Sequence, residues 1–253
     1  MRRGVKLAAV AVAAFAAVLI ARLPARWAAW VLTDPTTTCV RISGTLWSGA
    51  CAGLAESGSM LGDLSWELHP LRLFTASLSA DVTLSRGSGM ASARIEMGLT
   101  GTLTARGLQA AFPLDRTLFP ALPPAVQGSA QADVPFLRMK GSRVLAIQGR
   151  IDVHGLAMRG EPIGDYRLSF PAGGPSVAGG ASSASGGLVG HLTDLGGPFS
   201  VDGTVHLTPE PGYVVEALVA ARPGAPPDAV NALRYLGTPD ASGRRPFTFS
   251  GTF

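Results

Sequence analysis

The sequence predicts a mainly β protein: an N-terminal transmembrane helix, then a large, curved antiparallel β-sheet, either an open groove or a sandwich, with one short helix near the C-terminal end. Three observations predict it. From Phe74 to Ser85 apolar and polar residues alternate without a miss, Phe74, Ala76, Leu78, Ala80, Val82 and Leu84 against Thr75, Ser77, Ser79, Asp81, Thr83 and Ser85. Strand side chains point to opposite faces in turn, so this stretch has one apolar and one polar face, the signature of an antiparallel sheet covered on one side. Glycine is abundant, 32 of 253 residues, and only 15% of residues are charged, which suits many turns and argues against disorder. Thirdly, Val5 to Ala21 is apolar apart from Lys6.

As a helix, that first run would be roughly 25 Å long, near the lower limit for crossing a bilayer. A cleaved signal peptide has the same basic start, but this run is long for one and no clean A-x-A site precedes Pro24. The expectation is an uncleaved anchor over 5–23, a cytoplasmic tip over 1–4 and a periplasmic β domain over 24–253, the orientation following Arg2, Arg3 and Lys6. Of the 21 basic residues, Arg2, Arg3, Lys6, Arg22 and Arg26 flank this run, and without them basic and acidic residues nearly balance. The net charge of +4 therefore makes no case for a nucleic-acid surface, and the remaining arginines read as isolated, solvated strand residues.

Cys39 and Cys51 follow the anchor on its outer side. Val40 to Ala50 between them reads as two strands around a Gly-containing bend. That hairpin could bring both within disulfide reach in an oxidising compartment; two free, buried thiols are the alternative. Gly62 to Leu71 reads as a strand, with Trp47 and Trp66 as large hydrophobes pinning the start of the sheet. Arg86-Gly87-Ser88-Gly89 is a hairpin turn, after which alternation resumes in Ala91, Ala93, Ile95, Met97, Leu99, Leu103 and Ala105. Phe74, Leu78, Val82, Leu84, Ile95, Met97, Leu99 and Leu103 make up the candidate apolar face, for packing or for contact with lipid or a partner.

Phe112 to Pro124 contains Pro113, Pro120, Pro123 and Pro124 and reads as a loop crossing the sheet edge, with a domain boundary as the alternative. Strands follow at Val126 to Phe136, at Leu145 to Val153, and around Tyr166, Leu168 and Phe170. Pro171 to Gly187, almost entirely Gly, Ala and Ser, reads as a loop. Leu188 and Leu192, Phe199 to Leu207, and Tyr213 to Ala220 are the next strands. Pro226 and Pro227 open a helix with Ala229, Ala232, Leu233 and Leu236 at helical spacing and Gly237 as its stop, and a strand with Phe247, Phe249 and Phe253 on one face ends the chain.

Catalytic motifs are missing: no G-x-S-x-G, no H-E-x-x-H, no P-loop. His69, His154, His191 and His206 are scattered singly on strand patterns. The expectation is no enzyme, no catalytic or metal-binding residues and no cofactor.

Several segments together resemble the type II secretion system protein N family: Leu23-Pro24-Ala25-Arg26-Trp27; Gly44-Thr45-Leu46-Trp47-Ser48-Gly49; Gly62, Leu64, Trp66, Leu68, Pro70 and Leu71; Gly196-Gly197-Pro198-Phe199; and Leu236 through Gly251. The two cysteines lie outside that pattern. The resemblance implies an inner-membrane component, single-pass and largely periplasmic, of the machine that exports folded proteins across the Gram-negative outer membrane. Its implied partners are other inner-membrane and periplasmic secretion subunits. The family is in turn similar to AsmA-like proteins, whose curled sheets form an open groove for lipid. Two readings follow: a structural, interacting subunit that docks through exposed strand edges, and a lipid-binding groove protein of the envelope.

Overall fold

The computed structural model describes residues 22–26, 37–56, 58–70, 72, 77–98, 100–116, 122–123, 125–171, 187–208 and 212–252. Of the expected anchor, 5–21 lies outside these residues, as do Phe74, Leu99, Phe253 and 172–186 of the glycine-rich loop. Among the described residues no helix is long and apolar enough to cross a membrane. The chain divides into two compact units, residues 1–87 and 88–253.

The first unit is an antiparallel meander of β1 (Thr37–Gly44), β2 (Ser48–Glu56), β3 (Ser59–Leu68) and β4 (Ser77–Arg86). The bend after Gly44 is fastened from two sides: Leu46 donates its N–H to the Leu23 carbonyl, and the Trp66 indole N–H donates to the Leu46 carbonyl at 3.1 Å. The Trp66 ring lies over Gly49 so closely that a Cβ there would collide with it. Cys39 and Cys51 are joined across β1 and β2, their Cα atoms 5.8 Å apart, and Cys51 is buried.

One detail of β4 departs from the alternation. Ser79, on the face expected to be wet, is 1% exposed, and its hydroxyl has no hydrogen-bond partner. At the end of β3, His69 donates its backbone N–H to the Ser79 carbonyl and its ring sits 2.7 Å from Asp81, while the Ser77 hydroxyl donates to the Arg72 carbonyl.

In the second unit nine strands follow in sequence order: β5 (Gly89–Gly98), β6 (Thr102–Pro113), β7 (Val126–Lys140), β8 (Arg143–Met158), β9 (Glu161–Phe170), β10 (Leu188–Gly196), β11 (Phe199–Leu207), β12 (Tyr213–Ala221) and β13 (Arg245–Gly251). Each pairs antiparallel with the next. The alternation from Ala91 to Ala105 is divided between β5 and β6, because Gly101 donates to the Gly98 carbonyl and reverses the chain. The proline-rich passage joins β6 to β7, which pair along their length, so it is a connection within this unit.

β7 carries Pro135 in mid-strand, a position ordinary ladders exclude. The register shifts there, between Asp133 and Phe136, so the missing N–H falls in a bulge. On the facing strand Gly149, at φ +143°, lets the bulged backbone approach; a Cβ would come within 2.6 Å of the Val134 Cα.

The sheet also curves. Strands two apart approach one another, β8 to β10 and β9 to β11. Gly190 of β10 contributes, since the Phe170 ring occupies the space its side chain would need. The buried residues Ala105, Val134, Phe170, Val201, Val205 and Ala217 are spread along this one unit rather than packed between two sheets. Helix α1 (Pro227–Leu233) packs on β12. It is shorter than the expected helix through Leu236, because the Arg234 and Leu236 amides bond to Asn231 and Leu233, three residues back, tightening the chain out of α geometry.

Candidate functional site: an apolar trough in the second unit

Register builds the site. Ile151 faces Leu168, Leu168 faces Leu192, Val201 faces Val219 and Ala217 faces Phe247, an apolar row crossing β8 to β13. Where this face curves, it holds a hollow of about 420 Å³. Tyr166, Leu192, Phe199, Val201, Ala217, Val219 and Phe247 line it from the sheet, Leu156 and Ile163 from the β8–β9 end, and Leu233 of α1 with Leu236 just after it from above. The volume is that of a small-ligand site, yet the lining is aliphatic and aromatic apart from one phenol.

That phenol is committed internally: the Tyr166 hydroxyl donates to the Ile163 carbonyl at 2.9 Å. Burial, reinforced by the negative charge of Asp194, pushes its pKa up to about 12. Asp194 is 9% exposed, accepts the Val201 N–H at 3.0 Å and pairs with Arg222. The trough can therefore hold apolar matter, with an ion pair beside Tyr166; it presents no activated nucleophile.

The opposite face is charged. Arg167 donates twice to Asp152, at 2.7 and 2.9 Å, and Arg150 lies 3.0 Å from Asp133. The Arg167 hydrogen bond holds the Asp152 carboxyl below the usual carboxylate range. His154 and His206 sit near Asp165 and Glu216, and no grouping of His, Cys, Asp or Glu that could hold a metal occurs among the described residues.

The face residues expected from the sequence are placed elsewhere. Leu78, Val82 and Leu84 lie on β4 of the first unit, all half-buried; Ile95 faces Ala105, and Met97 faces Leu103, at the β5–β6 side of the second. None of them lines the trough. Most trough residues read as strand positions, and Leu233 and Leu236 as an apolar helix stripe, but Leu156 and Ile163 fall outside the expected strands, and the alternation does not say which strands curl toward one another.

The family profile for type II secretion system protein N matches residues 36–248. Type II secretion system protein N of Aeromonas hydrophila is 26% identical over 258 residues, 99% of each chain. Its counterpart in Vibrio cholerae serotype O1 is 26% identical over 216 residues, covering 83% of this chain and 82% of that one. No solved structure matches. A profile match spanning most of the chain, whose strand order and glycine-bearing bends follow the pattern read from the sequence, means that this protein belongs to the type II secretion system protein N family.

Proposed function

We propose that the protein is a membrane-anchored, periplasm-facing subunit of the type II secretion machinery that works by binding other components, not by catalysis. The anchor is the apolar segment 5–23, and its basic N-terminal flank sets the N-terminus in the cytoplasm and the β units in the periplasm of a Gram-negative envelope. The observation that carries the binding role is the trough: an apolar face covered, among the described residues of its unit, by one short helix. A concave apolar hollow of this size is the kind of place where a ligand or a partner's apolar segment binds. Val219→Trp, which fills the trough from its floor, is expected to stop appearance of a secreted substrate in the medium while the protein remains at normal level in the inner membrane. Normal secretion with the trough filled would remove the trough from the working surface.

A second reading, an envelope lipid-binding groove, is favoured by the wholly apolar character of the lining beyond Tyr166. Lipids retained by the detergent-extracted protein, measured by mass spectrometry, should fall in the Val219→Trp variant if the groove holds them. Equal retention by both proteins would end this reading and leave the first standing.

A further inference from the structure

The bonding of the last three strands leaves one side of β13 open. Between β11 and β12 the bonded pairs are fixed at both ends: Thr208 donates to the Gly212 carbonyl at 3.0 Å and Arg222 to the Pro198 carbonyl at 2.8 Å. Both pairs continue the register that sets Leu207 opposite Tyr213 and Phe199 opposite Ala221. Bonding direction alternates along an antiparallel strand, so Tyr213, Val215, Ala217 and Val219 turn their backbone groups the other way, to Gly251, Phe249, Phe247 and Arg245 of β13. Pro246, Thr248 and Ser250 therefore point theirs away from β12, where no further strand pairs among the described residues. Proline falls where its missing N–H costs no ladder bond, which leaves Thr248 and Ser250 as the outward donors of β13. The side chains of this strand are open too: Phe247 is 37% exposed and Phe249 51%.

Sheet edges are commonly guarded by charges, yet Pro246 through Thr252 carries none, and the one proline stands at its start. A row of outward N–H and carbonyl groups is matched by another strand. We infer that the strand is β13 of a second copy of this chain, laid antiparallel about a two-fold axis through Phe249. In that register Thr248 of each copy faces Ser250 of the other, each such pair exchanges both bonds, and every outward N–H of β13 is satisfied. The two Phe249 side chains become a directly opposed, non-bonded pair, the arrangement in which cross-strand neighbours come closest. Phe247 falls opposite Gly251, over which the Tyr213 ring lies, so the glycine leaves room for aromatic contact. Moving the axis to Thr248 would instead bring Pro246 into the pairing, with no donor to give and with Gly237 beside its ring. The inference is independent of what fills the trough.

The test uses the full chain in detergent, its mass followed by analytical ultracentrifugation over a dilution series. Wild type should show a monomer–dimer equilibrium. Thr248→Pro removes an outward donor and no bond to β12, and should raise the dimer Kd roughly ten-fold or more. Thr248→Val keeps that N–H and should dimerise as wild type does. Circular dichroism checks that both variants fold. The register has its own readout, because Cys39 and Cys51 are joined to each other and an introduced thiol stands alone. Phe249→Cys sets two thiols in a facing pair, Cα atoms about 4.5 Å apart, and should cross-link the dimer under mild oxidation. Phe247→Cys sets them roughly 14 Å apart along the strands and should not. A monomer at every concentration, a dimer untouched by Thr248→Pro, equal loss in Thr248→Val, or cross-linking through position 247 and not 249 would each overturn the inference.

Discussion

Asp194 on β10 and Arg222, the residue after β12, form an ion pair that reaches across β11. The same carboxylate accepts the Val201 N–H, and Arg222 donates its backbone N–H to the Pro198 carbonyl, so the pair ties three strands and the β10–β11 turn at the rim of the trough. Arg222→Met leaves a nearly buried carboxylate with one partner fewer and should cost about 1–3 kcal/mol of stability, read as a lower urea midpoint. Adding Asp194→Asn, which removes the charge but keeps an acceptor for Val201, should recover part of that loss. An unchanged midpoint in the single variant would mean that water screens the pair.

Tyr166 should titrate near 12 instead of at its ordinary 10.0, followed by the phenolate absorbance band. The folded state holds the proton more tightly than the unfolded chain. Its contribution to stability is thus complete below the unfolded value of 10.0 and is lost as pH rises toward about 12. Asp194→Asn should bring the titration down, because the neighbouring negative charge goes. A phenol ionising at its ordinary value would show that the trough is wet.

Asp152 has the opposite sign. Its pKa is lowered first by the Arg167 hydrogen bond, so it contributes stability above the unfolded value of 3.8, and this is lost as pH falls through its folded value. Wild type should lose more stability than Asp152→Asn between neutral pH and the acid side of 3.8. Parallel acid curves for the two proteins would contradict this.

The Cys39–Cys51 connection closes a short loop between residues 12 apart. On the loop-entropy account such a bridge contributes about 3 kcal/mol. Reductant, or Cys39→Ser with Cys51→Ser, should therefore lower the denaturation midpoint, and in the double serine variant reductant should change nothing further. Free thiols in protein purified without reductant, by alkylation and mass, would refute the bridge.

How far the sequence could be read depended on the range of each interaction. Alternation located the strands, and glycine-bearing stretches such as Gly87–Ser88 and the bend between Cys39 and Cys51 located the reversals, because both signals sit within a few residues of what they specify. Helix α1 was legible in place but not in length, since its last turn is decided by two backbone bonds. The bulge at Pro135 needs Gly149 on the facing strand, a neighbour that only the strand register supplies. The trough was the least visible feature: the apolar positions of β8 to β13 look the same whether a sheet lies flat or curls.

One consequence follows from the meander itself. In the second unit every strand from β6 onward bonds to the strand just before it in the chain. Loop closure between neighbours is cheap, so assembly can advance as a zipper, each hairpin templated by the last, with no distant segment required to begin. A polypeptide emerging N-terminus first can therefore fold as it arrives, with β13 laid last against β12.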